Sequence, residues 1–470
     1  MDLIIKNGKV VTAEKTLVAD VGIEKGKIKA IGKNIKCACP DVKIIDAKGM
    51  LVMPGGVDVH VHLNLFVSNT CSEEWDTATA GAACGGVTTV IDFAYQELGG
   101  SLKKAVEDRQ ADASGKVCID YSLHAGITDW NDNIKTEMNT LVEEGITSFK
   151  MHMDRKEGCM SDDGMLFQAL EETRKNGALI MVHAENAFVL ELLIARYRPQ
   201  TKTLGAWAHA LSRPCFIEYE AIQRAITWAE VTKGLLYIVH VSTGEGVEVI
   251  KQGKKRGVNV WAETCPQYLL LTDEVYKRKD GHLYACCPPI RTKHDKERLW
   301  EGIIKGEIQV IATDSCAFTK KQKDAWEGDF TKIPYGLPGA ELRIPTMWSA
   351  FRKRKISMNK FVSLVATNPA KLFGLYPQKG TVEMGSDADI VIFDPKKKVT
   401  VDWRDLVSKC DWTPYQAMEL TGYPVITILR GEVIAKDGKF VGKVGRGRFL
   451  RRNSELATQT ARKLPILIGR

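Results

Sequence analysis

Residues 53–64, MPGGVDVHVHLN, end an apolar run with two histidines one residue apart. Side chains at positions i and i+2 of an extended strand point to the same face, so His60 and His62 can meet at one point in space. Neutral imidazoles held side by side are typical of metal sites, although such a pair also occurs as surface or packing histidines. The remainder of the chain decides between these two interpretations.

The composition is that of an ordinary globular protein. The chain has 470 residues, of which 44% are hydrophobic and 26% charged, which is enough material for a large core. The formal net charge of +8 is spread along the chain, and its basic cluster lies near the C-terminus, so nucleic-acid binding is not predicted. No apolar run reaches the length needed to span a bilayer, so no membrane partner is expected.

The N-terminal residues lack the basic and then apolar pattern of a secretion signal, which predicts a cytoplasmic protein. The 12 cysteines are then expected to be free thiols, because disulfides are rare in that compartment. Neither Cys37 with Cys39 nor Cys286 with Cys287 has the paired CxxC spacing of a structural zinc site.

Two β-rich ends flank a different middle. Residues 1–52 and 377–445 contain short apolar runs separated by turn pairs such as Asn7-Gly8, and this pattern predicts short antiparallel strands. We expect both ends to form one small β-sandwich. Residues 446–470 form a basic C-terminal tail, which is a candidate contact between subunits.

The middle, residues 53–376, alternates short β-branched runs with helix-like stretches. Eight strand-like runs occur, the first of them overlapping the N-terminal end, at residues 51–62, 88–92, 117–123, 146–150, 178–183, 235–240, 258–263 and 308–314. Helical patterns between them include residues 137–144, 166–176 and 217–233. Eight buried strands alternating with helices predict an α/β protein built on a (β/α)8 TIM-like barrel.

Five of these runs end in residues able to serve a metal site: His60 and His62, Lys150, His183, His240 and Asp314. The carboxyl ends of barrel strands form one face, where active sites lie. Ionisable groups clustered at a core edge are costly unless a metal centre compensates them. Lys150 is the exception, because an ammonium repels cations. Either its amine has added carbon dioxide to form a metal-bridging carbamate, or it pairs with Asp314.

Ten short motifs occur in a fixed order: HVH (60–62), SFKM (148–151), VHAEN (182–186), HALSRP (209–214), IVHVS (238–242), ETCPQYL (263–269), ATD (312–314), GLPG (336–339), NPAKLFG (368–374) and GRGRFLRR (445–452). In this order they resemble the amidohydrolase superfamily and, more narrowly, the hydantoinase/dihydropyrimidinase family. The resemblance covers residues 1–452 approximately, and so many ordered motifs make chance similarity very improbable.

The resemblance implies two divalent metal ions per subunit, usually zinc, and a homotetramer. One ion would be held by His60, His62, Asp314 and Lys150 as N6-carboxylysine, and the second by Lys150, His183 and His240. It also implies hydrolysis of a small cyclic amide, hydantoin- or dihydropyrimidine-like, to an N-carbamoyl amino acid. The attacking group would be a metal-bridging hydroxide, with Asp314 as general base and then acid.

Five positions depart from the family pattern. Arg155 stands where relatives have a tyrosine that stabilises the oxyanion, and His152 stands where they have an aromatic residue. We expect both to act in catalysis, with Arg155 stabilising an oxyanion or binding an anionic substrate group; the alternative is a solvent-exposed Arg155. The resemblance also places three further replaced residues, Cys287, Ser315 and Tyr335, near the substrate. It implies that Cys287 and Tyr335 contact the substrate.

These departures favour an unusual or anionic cyclic amide as the substrate. One alternative is a non-catalytic scaffold like the dihydropyrimidinase-related proteins, which have lost metal ligands; here all six ligand positions are filled, which favours an enzyme. Another is a different cyclic amidase, dihydroorotase- or allantoinase-like. Dihydroorotases commonly carry an arginine where this chain has Asn64, and Arg155 is a candidate substitute that keeps this alternative open.

Overall fold

The computed structural model describes residues 1–36, 41–67, 70–156 and 158–454, so Cys37 and Cys39 lie outside the described residues. The chain begins with five strands of a terminal sheet: β1 (Leu3–Val11), β2 (Thr16–Glu24), β3 (Lys27–Gly32), β4 (Lys43–Asp46) and β5 (Leu51–Pro54). Strand β1 pairs antiparallel with β2, whereas β4 and β5 run parallel to it.

A barrel of eight parallel strands follows within the described part of the chain: β6 (Gly56–Val61), β9 (Val87–Tyr95), β10 (Asp120–Gly126), β11 (Ser148–His152), β12 (Leu179–His183), β13 (Leu236–Ile238), β14 (Val260–Thr264) and β15 (Val310–Ile311). A short hairpin of β7 (Phe66–Val67) and β8 (Thr70–Cys71) follows β6. Between β15 and β6 the His62 N–H donates to the Ser315 carbonyl at 2.8 Å. The barrel is therefore nearly closed, which confirms the (β/α)8 prediction.

The predicted run at residues 51–62 is two strands, not one. Its first part is β5 in the terminal sheet, and its second part is β6 in the barrel. The chain passes from one sheet to the other at Gly55, where a Cβ atom would lie only 2.1 Å from the Thr88 hydroxyl. Because glycine has no side chain, the two sheets can approach closely at this point.

Helices connect the barrel strands: α1 (Trp75–Cys84), α2 (Leu102–Ala113), α3 (Asp132–Glu143), α4 (Asp163–Asn176), α5 (Ala187–Tyr197), α6 (Thr201–Leu204), α7 (Trp207–Ser212), α8 (Cys215–Thr232), α9 (Gly244–Lys255), α10 (Pro266–Leu270), α11 (Lys293–Lys305), α12 (Lys320–Asp324), α13 (Arg343–Lys353), α14 (Met358–Val362) and α15 (Asn368–Leu372). The three predicted helical patterns fall in α3, α4 and α8. Helix α3 buries Ile134, Met138 and Leu141 at a helical spacing, which lays one apolar face on the barrel.

The C-terminal strands complete the terminal sheet: β16 (Ile390–Thr400), β17 (Glu419–Leu429), β18 (Glu432–Lys436) and β19 (Lys439–Phe440). Strand β16 pairs antiparallel with both β5 and β17, so the two ends of the chain form one continuous sheet. Side chains from both ends, including Val21, Val52 and Ile428, share a core distinct from that of the barrel. One β-rich domain built from both termini is thereby confirmed.

The basic tail passes along the amino-terminal end of its own barrel. The Tyr121 N–H donates to the Arg448 carbonyl at 2.9 Å, and the Leu450 N–H donates to the Tyr121 carbonyl at 2.7 Å. Residues 455–470 lie outside the described residues. A contact of the tail with a neighbouring subunit stays a prediction.

Two expectations from composition can be compared with the structure. The ten cysteines in the described ranges are free thiols, as expected. Among the helices of those same ranges, none has the combination of length and apolarity required to cross a bilayer.

Candidate metal centre and substrate pocket

The carboxyl end of the barrel, which we call the mouth, carries all six residues that the sequence predicts as metal ligands. Four of them lie in or directly after a strand and two in the loop that follows one: His60 (β6), His62 (after β6), Lys150 (β11), His183 (β12), His240 (after β13) and Asp314 (after β15). Residues far apart along the chain therefore meet at one end of the barrel.

His240 and Asp314 have unusual backbone conformations. Their φ angles are 38° and 52°, in the left-handed region that residues other than glycine rarely adopt. Strain of this kind costs about 1–3 kcal/mol per residue and persists only where the surroundings fix it, often at functional sites.

Asp314 is the centre of one group of side chains. Its Oδ1 atom lies 3.2 Å from His60 Nε2 and 3.2 Å from His62 Nε2. His240 joins them, because His60, His240 and Asp314 each offer a ligand atom within 4.8 Å of the others. Two imidazoles from β6, a third imidazole and a carboxylate thus surround one small volume.

Lys150 and His183 lie beside this group. The His183 ring is 4.6 Å from the His240 ring, and Lys150 is only 1% exposed. Burial lowers the pKa of Lys150 to about 8, against the opposing effect of the carboxylates of Asp314, Glu263 and Asp154. No carboxylate in the described residues lies within ion-pair distance of its amine, so a direct pair with Asp314 is not formed.

Several imidazole nitrogens at the mouth form no hydrogen bond within the described part of the chain, although one of them, His60 Nε2, has the Asp314 carboxylate 3.2 Å away. His60 Nε2, His62 Nδ1 and His240 Nδ1 are buried and form no hydrogen bond with the described residues. An unsatisfied buried polar atom costs about 1–3 kcal/mol, so native proteins rarely leave several together. Imidazole and carboxylate groups are common ligands of Zn²⁺, and the residues present fit a divalent metal centre.

Glu263 fixes the orientation of His60. The Glu263 carboxylate accepts a short hydrogen bond from His60 Nδ1 and also accepts one from the Tyr237 hydroxyl at 2.8 Å. With Nδ1 engaged, His60 presents Nε2 to the mouth, which is the usual way in which a carboxylate positions a metal-binding histidine. Glu263 is the first residue of the ETCPQYL motif, but the sequence alone predicted no role for it.

Asp154 was also missed, although it continues the alternation of Lys150 and His152 along one face of β11. Its Oδ1 atom lies 3.1 Å from His152 Nδ1, and its Oδ2 atom lies 3.4 Å from His183 Nε2. His152 Nε2 in turn lies 3.3 Å from the Tyr95 hydroxyl. The structure thus places His152 in the mouth, where its ring stacks 5.4 Å from that of His183.

Arg155 lies at the rim of the mouth. Its side chain is 50% exposed, and its Nε atom lies 3.8 Å from Asp154 Oδ2. The described residues contribute no hydrogen bond to its guanidinium. Burial raises the pKa of Cys287, and the positive charges of Arg213 and Arg155 oppose that shift.

Tyr335 and Ser315 are held by local hydrogen bonds. The Tyr335 hydroxyl donates to the Phe330 carbonyl at 2.9 Å, while its ring stacks 4.6 Å from that of His209. The Ser315 hydroxyl accepts from the Gly339 N–H at 3.2 Å. The backbone carbonyl of Ser315 also accepts the His62 N–H, at the point where β15 meets β6. The substrate-contact roles predicted for Cys287, Tyr335 and Arg155 stay predictions.

A cleft of about 610 Å³ opens beside the mouth. Phe93 and Tyr95 form the wall nearest the histidines, and the His62 ring stacks 4.7 Å from that of Phe93. The loop after β6 contributes Leu65 and Phe66 to the outer wall. A cavity of this size, part apolar and part charged, is typical of sites for small molecules.

The sequence and the fold both match proteins of known activity. The profile of the amidohydrolase family matches residues 51–434. A D-hydantoinase of Geobacillus stearothermophilus is 42% identical over 96% of this chain and 97% of its own length. A D-phenylhydantoinase of Escherichia coli O7:K1 is 41% identical, with 96% and 98% covered.

Solved structures agree with these relatives. A crystal structure of a D-hydantoinase superimposes with a TM-score of 0.94 at 41% identity, covering 97% of this chain and 99% of the other. An L-hydantoinase (dihydropyrimidinase) from Arthrobacter aurescens has a TM-score of 0.88 at 31% identity, with 96% and 100% covered. The chain therefore belongs to the amidohydrolase family, within its hydantoinase/dihydropyrimidinase group, and is a metal-dependent hydrolase of cyclic amides.

Proposed function

We propose that this chain opens a hydantoin- or dihydropyrimidine-like ring at a centre of two divalent metal ions, with Zn²⁺ as the ion that its ligands suit best. The observation that carries the proposal is the set of buried imidazole nitrogens around Asp314 that find no hydrogen bond in the described residues. A protein that served only as a scaffold would gain nothing from such groups, because each is costly when unpaired.

We assign His60, His62, Asp314 and Lys150 to one ion, and Lys150, His183 and His240 to the other. Lys150 would serve both as N6-carboxylysine, since a carbamate offers two oxygen atoms. Burial of the amine within a set of imidazoles, with no carboxylate in ion-pair contact among the described residues, supports this modification.

Cations held by these residues would supply Lewis-acid chemistry: they would polarise the amide carbonyl and lower the pKa of a water molecule from about 15.7 to about 7. Asp314 accepts the proton of the attacking water and delivers it to the departing ring nitrogen. His60 and His62, each 3.2 Å from the same carboxylate oxygen, keep Asp314 directed into the mouth. The product is an N-carbamoyl amino acid.

The substrate is proposed to carry an anionic group that Arg155 binds. The guanidinium is half exposed at the rim, and its donors make no hydrogen bond with the described residues. Its nearest carboxylate, Asp154, already contacts His152 and His183. A planar guanidinium with free donors is suited to bidentate binding of a carboxylate.

A matched pair of substrates tests this specificity. A hydantoin with a carboxyalkyl group on its ring carbon is compared with the corresponding carboxamide, using wild type, Arg155→Gln and Arg155→Lys. We expect Arg155→Gln to lose about 10–100-fold in kcat/KM on the acid, the equivalent of a charged hydrogen bond, and less than about threefold on the amide. Efficient turnover of plain dihydrouracil, unchanged in Arg155→Ala, would contradict the proposal.

The assignment of the metal centre is tested by metal content and product release. Metal-replete protein is expected to contain two equivalents per chain and to release ureido acids from a panel that includes hydantoin, dihydrouracil, dihydroorotate and allantoin. If dihydroorotate or allantoin were the only substrate cleaved efficiently, the dihydroorotase- or allantoinase-like alternative would be favoured. Protein with no metal and no turnover on the whole panel would overturn the proposed function.

We also propose that the chain forms a homotetramer in the cytoplasm. Apolar side chains on α5 support an interface, because Phe188 is 56% and Leu192 68% exposed. Free thiols in the described ranges support a reducing compartment. Light scattering of the purified protein is expected to give four times the chain mass of 52.2 kDa. A monomeric mass at micromolar concentration would contradict this assembly.

A further inference from the structure

Asp154 contacts more of the mouth than any role assigned so far explains. It is 4% exposed and lies two residues past the end of β11. One of its oxygens contacts His152 Nδ1, and the other lies 3.4 Å from His183 Nε2 without a hydrogen bond among the described residues. A carboxylate only accepts hydrogen bonds, so the His152 nitrogen that it contacts must carry a hydrogen, and its negative charge favours an N–H over a lone pair on the nearby nitrogen of His183.

The first consequence concerns His152 and Tyr95. The His152 Nδ1–H donates to Asp154 Oδ1 at 3.1 Å. In neutral imidazole the other nitrogen then holds a lone pair, so Nε2 accepts the hydroxyl hydrogen of Tyr95 at 3.3 Å. With its hydrogen directed at His152, the Tyr95 oxygen keeps its lone pairs free for a donor, and Tyr95 is one of the residues that line the cleft. Tyr95 would therefore accept a hydrogen bond from a substrate N–H.

The second consequence concerns His183. Its Nε2 lies 2.8 Å from Glu185 Oε2 and 3.4 Å from Asp154 Oδ2, so two carboxylates face the same nitrogen. Nε2 must be the N–H, which leaves the lone pair on Nδ1. A neutral imidazole binds a metal ion through its lone pair, and a carboxylate on the opposite nitrogen fixes that tautomer.

Asp154 is unsuited to bind a cation itself. Its Oδ2 atom lies 3.8 Å from Arg155 Nε and 4.0 Å from Arg213 Nη1. Two guanidinium charges within this distance repel a metal ion at that oxygen. Asp154 must therefore act through the imidazoles it contacts.

We propose that Asp154 is a positioning residue that fixes the tautomers of His183 and His152 together, and so joins binding of the second metal ion to the hydrogen-bond polarity of Tyr95 in the substrate cleft. This inference rests on the proposed function, because it takes His183 as a metal ligand. It makes one buried carboxylate responsible for two separate properties of the site.

The Asp154→Asn variant tests whether Asp154 acts through its hydrogen-bonding groups and charge or only by filling space. An amide has nearly the same shape as the carboxylate but offers one oxygen and one NH2 group. In either orientation the NH2 group faces one of the two imidazole N–H groups, which then turns away or changes tautomer. Asp154→Asn is therefore expected to impair both properties.

Two other variants each affect one property. Glu185→Gln removes the Glu185 carboxylate, which contacts His183 Nε2, at a residue that makes no hydrogen bond with His152 among the described residues. His152→Phe removes the partner of the Tyr95 hydroxyl and leaves both carboxylates on His183. The double variant combines the two effects without changing residue 154, and serves if Asp154→Asn fails to fold.

The first measurement is Co²⁺ binding to metal-free protein in the presence of a competing chelator, followed by cobalt absorption. We expect Asp154→Asn and Glu185→Gln to weaken one of two equivalents by about 10–100-fold, the usual effect of losing a partner of a metal-binding histidine. His152→Phe should leave both affinities unchanged.

The second measurement, at saturating metal, is the ratio of KM values for a cyclic amide and its ring N-methyl analogue. We expect this ratio to change by threefold or more in Asp154→Asn, His152→Phe and Tyr95→Phe, and not in Glu185→Gln.

Unchanged metal affinity in Asp154→Asn, or an unchanged KM ratio in that variant, would overturn the inference while wild-type protein still binds two equivalents. Wild-type protein that binds no second equivalent would instead overturn the proposed function.

Discussion

The two ends of the barrel treat buried charge in opposite ways. At the amino-terminal end, Lys379 is 1% exposed and lies 2.6 Å from both Asp120 and Asp389 and 3.0 Å from Asp387. Arg430 pairs with the second oxygen of Asp120. At the mouth, by contrast, three buried imidazole nitrogens have no hydrogen bond among the described residues.

Polar groups at the amino-terminal end stabilise the fold, whereas those at the mouth are available to bind a ligand. The paired cluster joins β10 of the barrel to the terminal sheet, so its charges stabilise the junction between two domains. Unpaired groups at the mouth cost folding free energy and are explained only by something that binds there. Substitutions should therefore have opposite consequences at the two ends.

The largest effect is expected at the mouth, from Asp314→Asn. Loss of the proton acceptor should lower kcat by about 10²–10⁴-fold. The melting temperature of the metal-free protein should fall only slightly, because the substitution weakens just the contacts of one carboxylate oxygen with His60 and His62. Steady-state kinetics and thermal unfolding measure the two quantities, with the exposed Asp132→Asn as the control. A loss of kcat smaller than about threefold would contradict the assignment of Asp314.

At the opposite end, Lys379→Met should destabilise the fold by about 3–5 kcal/mol, because three buried carboxylates lose their common cation. Urea unfolding measures this loss against the exposed Lys396→Met as a control.

The pH dependence of that loss has a definite sign. Without the cation, the folded-state pKa values of these carboxylates rise above their unfolded value of about 3.9, so the folded state binds more protons. Stability is then lost as pH rises, and the deficit of Lys379→Met should be greatest at neutral pH and smallest below pH 4. A deficit that is the same at both pH values would contradict the pairing.

Glu341 combines features of both ends, because it is buried and accepts N–H groups of Val407 and Ser408 but pairs with no cation in the described residues. Burial raises its pKa to about 7. The folded state therefore keeps a proton that the unfolded chain releases near pH 4.5, and stability falls as pH rises from about 4.5 to 7.

The expected fall is about 3 kcal/mol, at 1.36 kcal/mol per pH unit. The free energy of unfolding of Glu341→Gln, measured in urea from pH 4 to 8, should lack this contribution. Parallel pH profiles for wild type and variant would show that Glu341 is ionised throughout.

The smallest effect is expected from Arg452→Lys. This variant tests whether the C-terminal tail stabilises the amino-terminal end of the barrel. The buried guanidinium donates to the hydroxyls of Ser148 at 2.7 Å and Ser122 at 3.0 Å. An ammonium cannot reproduce this fork, so a loss of about 1–2 kcal/mol is expected in urea unfolding. The neighbouring exposed Arg451→Lys should change stability by less than about 0.5 kcal/mol. Equal losses in the two variants would contradict the anchoring role of the tail.

Local patterns were sufficient to predict the barrel and the six side chains at its mouth. The alternation of His60 and His62 shows that they share a face, and parallel strands of one barrel place their carboxyl ends together. The same periodicity could not divide residues 51–62 between two sheets, because both pieces are fully buried and only the approach of Gly55 to Thr88 separates them.

The partners of the site were decided by tertiary structure alone. Glu263 is 203 residues from His60, and Tyr95 is 57 residues from His152, so no spacing in the sequence relates them. Hydrogen-bond polarity depends on which atoms face each other across strands, and this is set by barrel register. The sequence determined which chemical groups reach the mouth; the folded barrel decided which nitrogen of each histidine is free to act.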